Sequence, residues 1–121
     1  MVSLISVKEL QGYLNDEVTP FIIDVRAPEA YQRGHLPGAV NVPRELLAGS
    51  LSQIPNDNPI VTYCNMHNPG QSGSEYAVHL LRDAGFHARA LEGGFPAWKE
   101  AGFPIDTKQH TLPENWSPRS K

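Results

Sequence analysis

Two apolar runs, Phe21-Ile22-Ile23-Asp24-Val25 and Ile60-Val61-Thr62-Tyr63, set the strongest limit on what this chain can fold into. A strand with one wet face alternates apolar and polar residues, whereas a short run without that alternation reads as covered on both faces. Pro20 precedes the first run and Pro28 soon follows it, while the second leaves the turn-rich stretch Pro55-Asn56-Asp57-Asn58-Pro59. Leu4-Ile5, Ala39 to Val42 (stopped by Pro43) and Ala88 to Leu91 are shorter strand candidates.

Helical patterns separate these runs. Ser6 with Glu9 is a capping box opening a helix through Leu10 and Leu14. Glu29 to Arg33 reads as one short helical turn, and Arg44 to Ala48 as a small helix. Ser72 with Glu75 makes a second capping box, and Ala77, Leu80, Leu81 and Ala84 recur at the spacing of one helix face. Gly85 stops that helix, and Gly93-Gly94 leads into a last one carrying Ala97 and Trp98. Alternating strands and helices predict an α/β fold with a parallel sheet and helices on both faces.

Composition narrows the function. The length of 121 residues suits one domain, and 40% hydrophobic residues suffice for one core. We expect that domain over residues 1–105 and a polar C-terminal tail over 106–121, in which Trp116 is suited to docking. Ten Lys+Arg against 13 Asp+Glu leave a net charge of −3, which argues against a nucleic-acid surface. No long uncharged apolar run predicts a membrane span. The lone Cys64 rules out an internal disulfide and zinc sites built on cysteine pairs, so no metal is expected. Without a signal-like N-terminus, the expected setting is soluble, reducing and cytoplasmic.

In parallel α/β sheets, ligands bind outside the carboxyl ends of the strands. Cys64 stands at such an end. The loop after it, Asn65-Met66-His67-Asn68-Pro69-Gly70-Gln71-Ser72-Gly73, is rich in residues that can turn backbone N–H groups inward into an anion-binding nest. The start of the following helix adds its partial positive charge. Both features favour thiolate over thiol, and would hold a persulfide or a bound oxyanion equally well. The plainer alternative is an inert cysteine buried at a strand end. His67 is a candidate acid or anion partner, or else a solvated loop histidine; His79, His87 and His110 read as surface residues.

Three ordered motifs then point to a family. Asp24-Val25-Arg26 with Glu29 and Tyr31, continuing through Gly34-His35-Leu36-Pro37-Gly38-Ala39-Val40-Asn41-Val42-Pro43, resembles the N-terminal signature of rhodanese-like domains. Gly93-Gly94-Phe95-Pro96-Ala97-Trp98, followed by Gly102-Phe103-Pro104, is similar to the C-terminal signature. Tyr63-Cys64 falls between them, where that family places its catalytic cysteine, and the resemblance covers roughly residues 4 to 104. It implies a five-stranded parallel sheet flanked by helices, and a sulfurtransferase without cofactor. The cysteine would take sulfane sulfur from a small donor such as thiosulfate and pass it to a thiophilic acceptor, either a small molecule or a protein thiol. By the same resemblance, Asp24, Arg26, Glu29 and His35 are mostly architectural. Arg26 and Glu29 look like an ion pair, while Asp24 has the further option of tuning the pocket. Trp98 reads as core.

One departure stands out. Loops of the family commonly carry an arginine at the fifth position after the cysteine, where this chain has Pro69. Aligned backwards from Gly85-Phe86, the usual arginine falls near Gly73, and the next arginine in the chain is Arg82. A longer loop without that cation loses a bidentate clamp on dianionic donors, only partly replaced by Gln71 or Asn65, and is open to a bulkier substrate. The alternatives are a catalytically weak interaction or regulatory module and, further off, a phosphatase or arsenate reductase. The missing arginine argues against the last two, which need it at the transition state.

Overall fold

The computed structural model describes residues 4–14, 19–55, 58–65 and 73–108. Met66, His67, Asn68, Pro69, Gly70, Gln71 and Ser72 lie outside the described residues, as do His110 and Trp116. The elements alternate from the start: β1 (Leu4–Ile5), α1 (Val7–Tyr13), β2 (Phe21–Asp24), α2 (Pro28–Arg33) and β3 (Val40–Asn41). After two 3-10 segments come β4 (Ile60–Tyr63), α3 (Gly73–Asp83), β5 (Ala88–Leu91) and α4 (Gly94–Glu100). The strands form one five-stranded sheet in the order β1-β5-β4-β2-β3, and every pair is parallel. The two unalternating runs are therefore β2 and β4, which sit inside the sheet where both faces are covered.

Alternate strand residues feed two cores. Ile23, Val25, Ile60, Ala88 and Ala90 point to one face, where Ala77, Val78 and Leu81 of α3 and Leu47 and Ile54 of the 3-10 region close over them. Ile22, Val61, Tyr63 and Leu91 point to the other, beneath Leu10 of α1, Tyr31 of α2 and Trp98 of α4. Trp98 is fully buried, as expected, and its indole N–H donates to the Pro104 carbonyl at 2.7 Å.

Local signals place the helix starts. Ser6 caps α1 by accepting from the Glu9 N–H at 3.0 Å, and α2 opens on Pro28, whose fixed φ suits a first turn. Two expectations need correction. The buried face of α3 is Gly73, Ser74, Ala77, Val78 and Leu81, not the stripe ending on Leu80 and Ala84. Leu80 is only partly buried, and Ala84 lies exposed beyond the last turn. Apolar residues at both 77–78 and 80–81 allow either phase, and the packing of α3 on β4 and β5 chose between them. The small helix expected over 44–48 is instead two 3-10 segments, Arg44–Leu46 and Ala48–Gln53. There Gly49, Ser50 and Ser52 are poor helix formers. Beyond α4, Asp106 exchanges backbone hydrogen bonds with His35 at 2.8 and 2.9 Å, tying the start of the tail region to the domain.

Candidate functional site

β2 and β4 pair with Asp24 opposite Tyr63, so both strands end together at the carboxyl edge of the sheet. There Asp24, with no exposed surface, gathers donors. Its carboxylate accepts from the Arg26 backbone N–H at 2.8 Å, from Arg26 Nε at 3.0 Å and Nη2 at 2.6 Å, and from the Tyr63 hydroxyl at 2.8 Å. The Tyr63 oxygen in turn accepts from the Leu36 N–H at 3.1 Å. Arg26 Nη2 also donates to the Gly34 carbonyl at 2.7 Å, and the guanidinium lies 4.3 Å from the centre of the Phe95 ring. The Asn41 amide closes the network by donating to the Asp24 and Arg26 carbonyls, each at 3.0 Å.

A buried ion pair persists only when its remaining hydrogen-bonding capacity is met, as it is here. Burial opposes the Arg26 charge, but the hydrogen bonds and charge of Asp24 outweigh it and raise the guanidinium pKa. Burial, reinforced by the Asp24 carboxylate, likewise pushes the Tyr63 phenol far above its ordinary range, so the hydroxyl stays a donor.

One residue further on, the chain turns to the other face. Cys64 is 6% exposed and belongs to the apolar cluster under α3. Its thiol lies 3.8 Å from Ser74 Oγ in the first turn of α3, and its carbonyl accepts from the Phe95 N–H at 2.8 Å. Thr62 Oγ1 anchors that helix start by donating to the Ser74 carbonyl at 2.8 Å. Gly73 opens α3, where an added Cβ would stand 3.3 Å from Cδ of the movable Arg44 side chain and 3.5 Å from Val25 Cγ2. Asn65 then turns back toward the first network, accepting from Arg26 Nη1 at 3.4 Å.

The structure thus brings Cys64, Asn65 and Gly73 to one strand end, with Asp24 and Arg26 alongside. It does not join Arg26 to Glu29. The ion pair is Arg26–Asp24, and Glu29 is exposed on α2. A guanidinium two residues beyond a strand-end carboxylate can fold straight back onto it, whereas Glu29 begins a helix turn that faces outward. His35 is buried in an architectural setting, its Nδ1 2.8 Å from the Tyr31 carbonyl and its ring stacked on Tyr31 at 3.8 Å. The exposed His79 and His87 match their surface reading. Arg82 sits in the last turn of α3, donating to the Ala88 carbonyl at 3.0 Å, far along the helix from Cys64.

Sequence reading missed Tyr63, Ser74 and Phe95 as parts of this site. A tyrosine inside a buried strand does carry a signal, since its hydroxyl must find a partner. Ser74 and Phe95 carry none that is local.

A wholly parallel α/β sheet, with a cysteine at the carboxyl end of its middle strand and a buried acid–arginine–tyrosine network beside it, defines the class. The family model for the rhodanese-like domain matches residues 6–101, and the chain belongs to that family. A protein of Allochromatium vinosum named a sulfurtransferase is 30% identical over 105 residues, covering 87% of this chain and 95% of that protein. An HTH-type transcriptional regulator of Mycobacterium tuberculosis is 41% identical over 90 residues, covering 74% of this chain; the match spans only 38% of the regulator's length. Among solved structures, the rhodanese-like domain of an Anabaena protein superposes with a TM-score of 0.74 at 33% identity, covering 89% of this chain and 81% of that one. Among the described residues, no helix is long and apolar enough to cross a membrane.

Proposed function

We propose that the protein is a sulfurtransferase, or persulfide carrier, that works through Cys64. The observation that carries this reading is the seat of the Cys64 sulfur, at the strand end and 3.8 Å from Ser74 Oγ at the start of an 11-residue helix. The partial positive charge of a helix start stabilises negative charge that a reaction develops beside it. Membership of the rhodanese-like family and the sulfurtransferase named among its relatives support the same chemistry. In the first step the Cys64 thiolate attacks the outer sulfur of a sulfane donor such as thiosulfate. A new S–S bond forms at Cys64, the donor's own S–S bond breaks, and sulfite leaves with its electron pair. The product is a Cys64 persulfide beside the start of α3, and the step needs no metal or organic cofactor. A lone thiol that must stay reduced between turnovers suits the cytoplasm.

Mass spectrometry after incubation with thiosulfate is expected to show one added sulfur, absent from Cys64→Ser. No gain of sulfur from any sulfane donor would overturn the reading. A second reading, a regulatory or interaction module, is favoured by the 41% identity to a transcriptional regulator. An unreactive Cys64 together with a specific protein partner is the result that would select it.

A further inference from the structure

Arg44 stands on the face of the sheet that carries the Cys64 sulfur. It opens the 3-10 segment Arg44–Leu46, and its backbone N–H donates to the Val25 carbonyl at 3.2 Å. Val25 is the residue beside Cys64, since Asp24 pairs with Tyr63 and the Val25 N–H donates to the Tyr63 carbonyl at 3.1 Å. Both residues belong to the apolar cluster under α3. The Arg44 side chain then passes the start of that helix. Its Cδ lies 3.3 Å from the place of a Cβ on Gly73, and the next residue, Ser74, holds its Oγ 3.8 Å from the Cys64 sulfur. Arg44 is thus rooted at one neighbour of Cys64 and packed next to another.

Its charge is uncommitted. The described ion pairs are Arg26–Asp24 and Arg89–Glu9, so Arg44 is joined neither to Glu45 beside it nor to Glu75 in the first turn of α3. The guanidinium lies 5.5 Å from the centre of the Tyr76 ring, which is 48% exposed. A cation–π contact at an exposed site is weak, so an anion at the helix start competes well for that guanidinium. Other described cations are placed elsewhere. Arg26 is held by Asp24, Arg82 sits in the last turn of α3, and Arg33 and Lys99 line a cleft between α2 and α4 on the opposite face.

We propose that Arg44 is the donor-selecting residue of the Cys64 site, and that it favours sulfane donors bearing a doubly charged sulfonate-like end. The inference rests on the sulfur-transfer reading above and adds the donor's class and the residue that recognises it. A thiolate approaching thiosulfate brings one negative charge onto a molecule that already carries two, and a helix start offers only partial charge in return. The guanidinium supplies a full one, as a planar fork that matches two oxygens of the donor. As Sγ bonds the outer sulfur, the donor's S–S bond breaks and its electron pair goes to sulfite, whose charge stays against Arg44. The charge of the thiolate passes to the outer sulfur of the persulfide, so the step balances without a proton or an oxidant. A 3-10 segment thereby provides the cation that neither Pro69 nor Gly73 can.

The test pairs reagents that differ by one negative charge. Thiosulfate is compared with methanethiosulfonate as donor, with sulfur uptake on Cys64 followed by mass spectrometry. Iodoacetate is compared with iodoacetamide as alkylating agent of the same thiol. In Arg44→Glu the rate ratio of the more to the less charged reagent is expected to fall about tenfold in each pair, the Coulomb difference for a reversed charge a few ångströms away. An unchanged donor ratio overturns the proposal. Arg33→Glu alters the net charge equally from the opposite face, and both ratios are expected to stay within about twofold because salt screens that distance. An equal fall there would reveal a general effect of net charge and overturns the assignment as well. If Cys64 takes sulfur from neither donor, the sulfur-transfer reading fails, while the alkylation pair still reports whether Arg44 governs anions approaching the thiol. If Cys64 is loaded but the donor ratio ignores Arg44, the donor assignment alone fails. Arg44 and Arg33 are both exposed, and thermal melting checks that both variants are folded.

Discussion

Beneath α3, Ile23, Val25, Ile60, Val78 and Leu81 meet the sheet carbon against carbon, and Cys64 is the edge of that cluster. Across the same strands, an equally buried layer contains a carboxylate with a guanidinium and a phenol each within 3 Å of it. The contrast follows from the period of two along a strand. Tyr63 and Asn65 serve the polar face, and Cys64, between them, serves the apolar one. A hydrogen-bonded network holds the strand end from one side, while the Cys64 sulfur lies on the other, 3.8 Å from Ser74 Oγ. Under the sulfur-transfer proposal, holding and reacting would fall to different faces of the strand end, with the network positioning the thiol.

Removing the network's anion should disturb this division most. Asp24→Ala leaves the Arg26 charge buried without its partner, and urea unfolding is expected to show a loss of about 3–5 kcal/mol. A loss under 1 kcal/mol would mean that the polar face is not what holds the strand end. Two glycines then compare the helix starts. Gly93, which precedes α4, has φ of +79°, and an added Cβ would meet Ala97 Cβ at 2.5 Å. Gly93→Ala combines backbone strain with a clash and is expected to cost about 2–4 kcal/mol. Gly73→Ala at the start of α3 meets ordinary contact with Val25 and a movable Arg44 side chain, so its stability should stay within about 0.5 kcal/mol. Equal costs in the two variants would erase the asymmetry between the faces.

A smaller effect sharpens the comparison through pH. Tyr63→Phe deletes the hydroxyl between Asp24 and the Leu36 N–H, at a cost of about 1–2 kcal/mol near neutrality. In the wild type, the folded protein keeps the Tyr63 proton at a pH where the unfolded chain releases it. Folding stability therefore falls as pH rises above about 10, by up to about 1.4 kcal/mol per pH unit for this one group. Unfolding measured at alkaline pH should be less steep in Tyr63→Phe than in the wild type. Parallel curves would show that the phenol is not held protonated by its surroundings.

Much of the frame was legible because it is written in near neighbours. The unalternating runs at 21–25 and 60–63 identified the inner strands, Ser6 marked a helix start, and Cys64 was recognisable as a strand-end residue. The phase of α3 was not, since its sequence offers two apolar stripes and only the neighbouring strands select one. Arg26 was assigned the wrong partner for a related reason: Glu29 is three residues away and Asp24 two, and spacing alone does not say which carboxylate is buried.

What the amino-acid sequence determined unaided is the set of strands and α-helices and the placing of a thiol between a buried strand and a helix start. Periodicity, capping and turn chemistry act over a few residues and are therefore readable locally. Only the tertiary structure decided that Tyr63 reaches Asp24, that Phe95 holds Cys64 and roofs Arg26, and that Arg33 and Lys99 share one cleft. Those meetings depend on the strand order β1-β5-β4-β2-β3 and on its register, which arise from packing the whole chain at once.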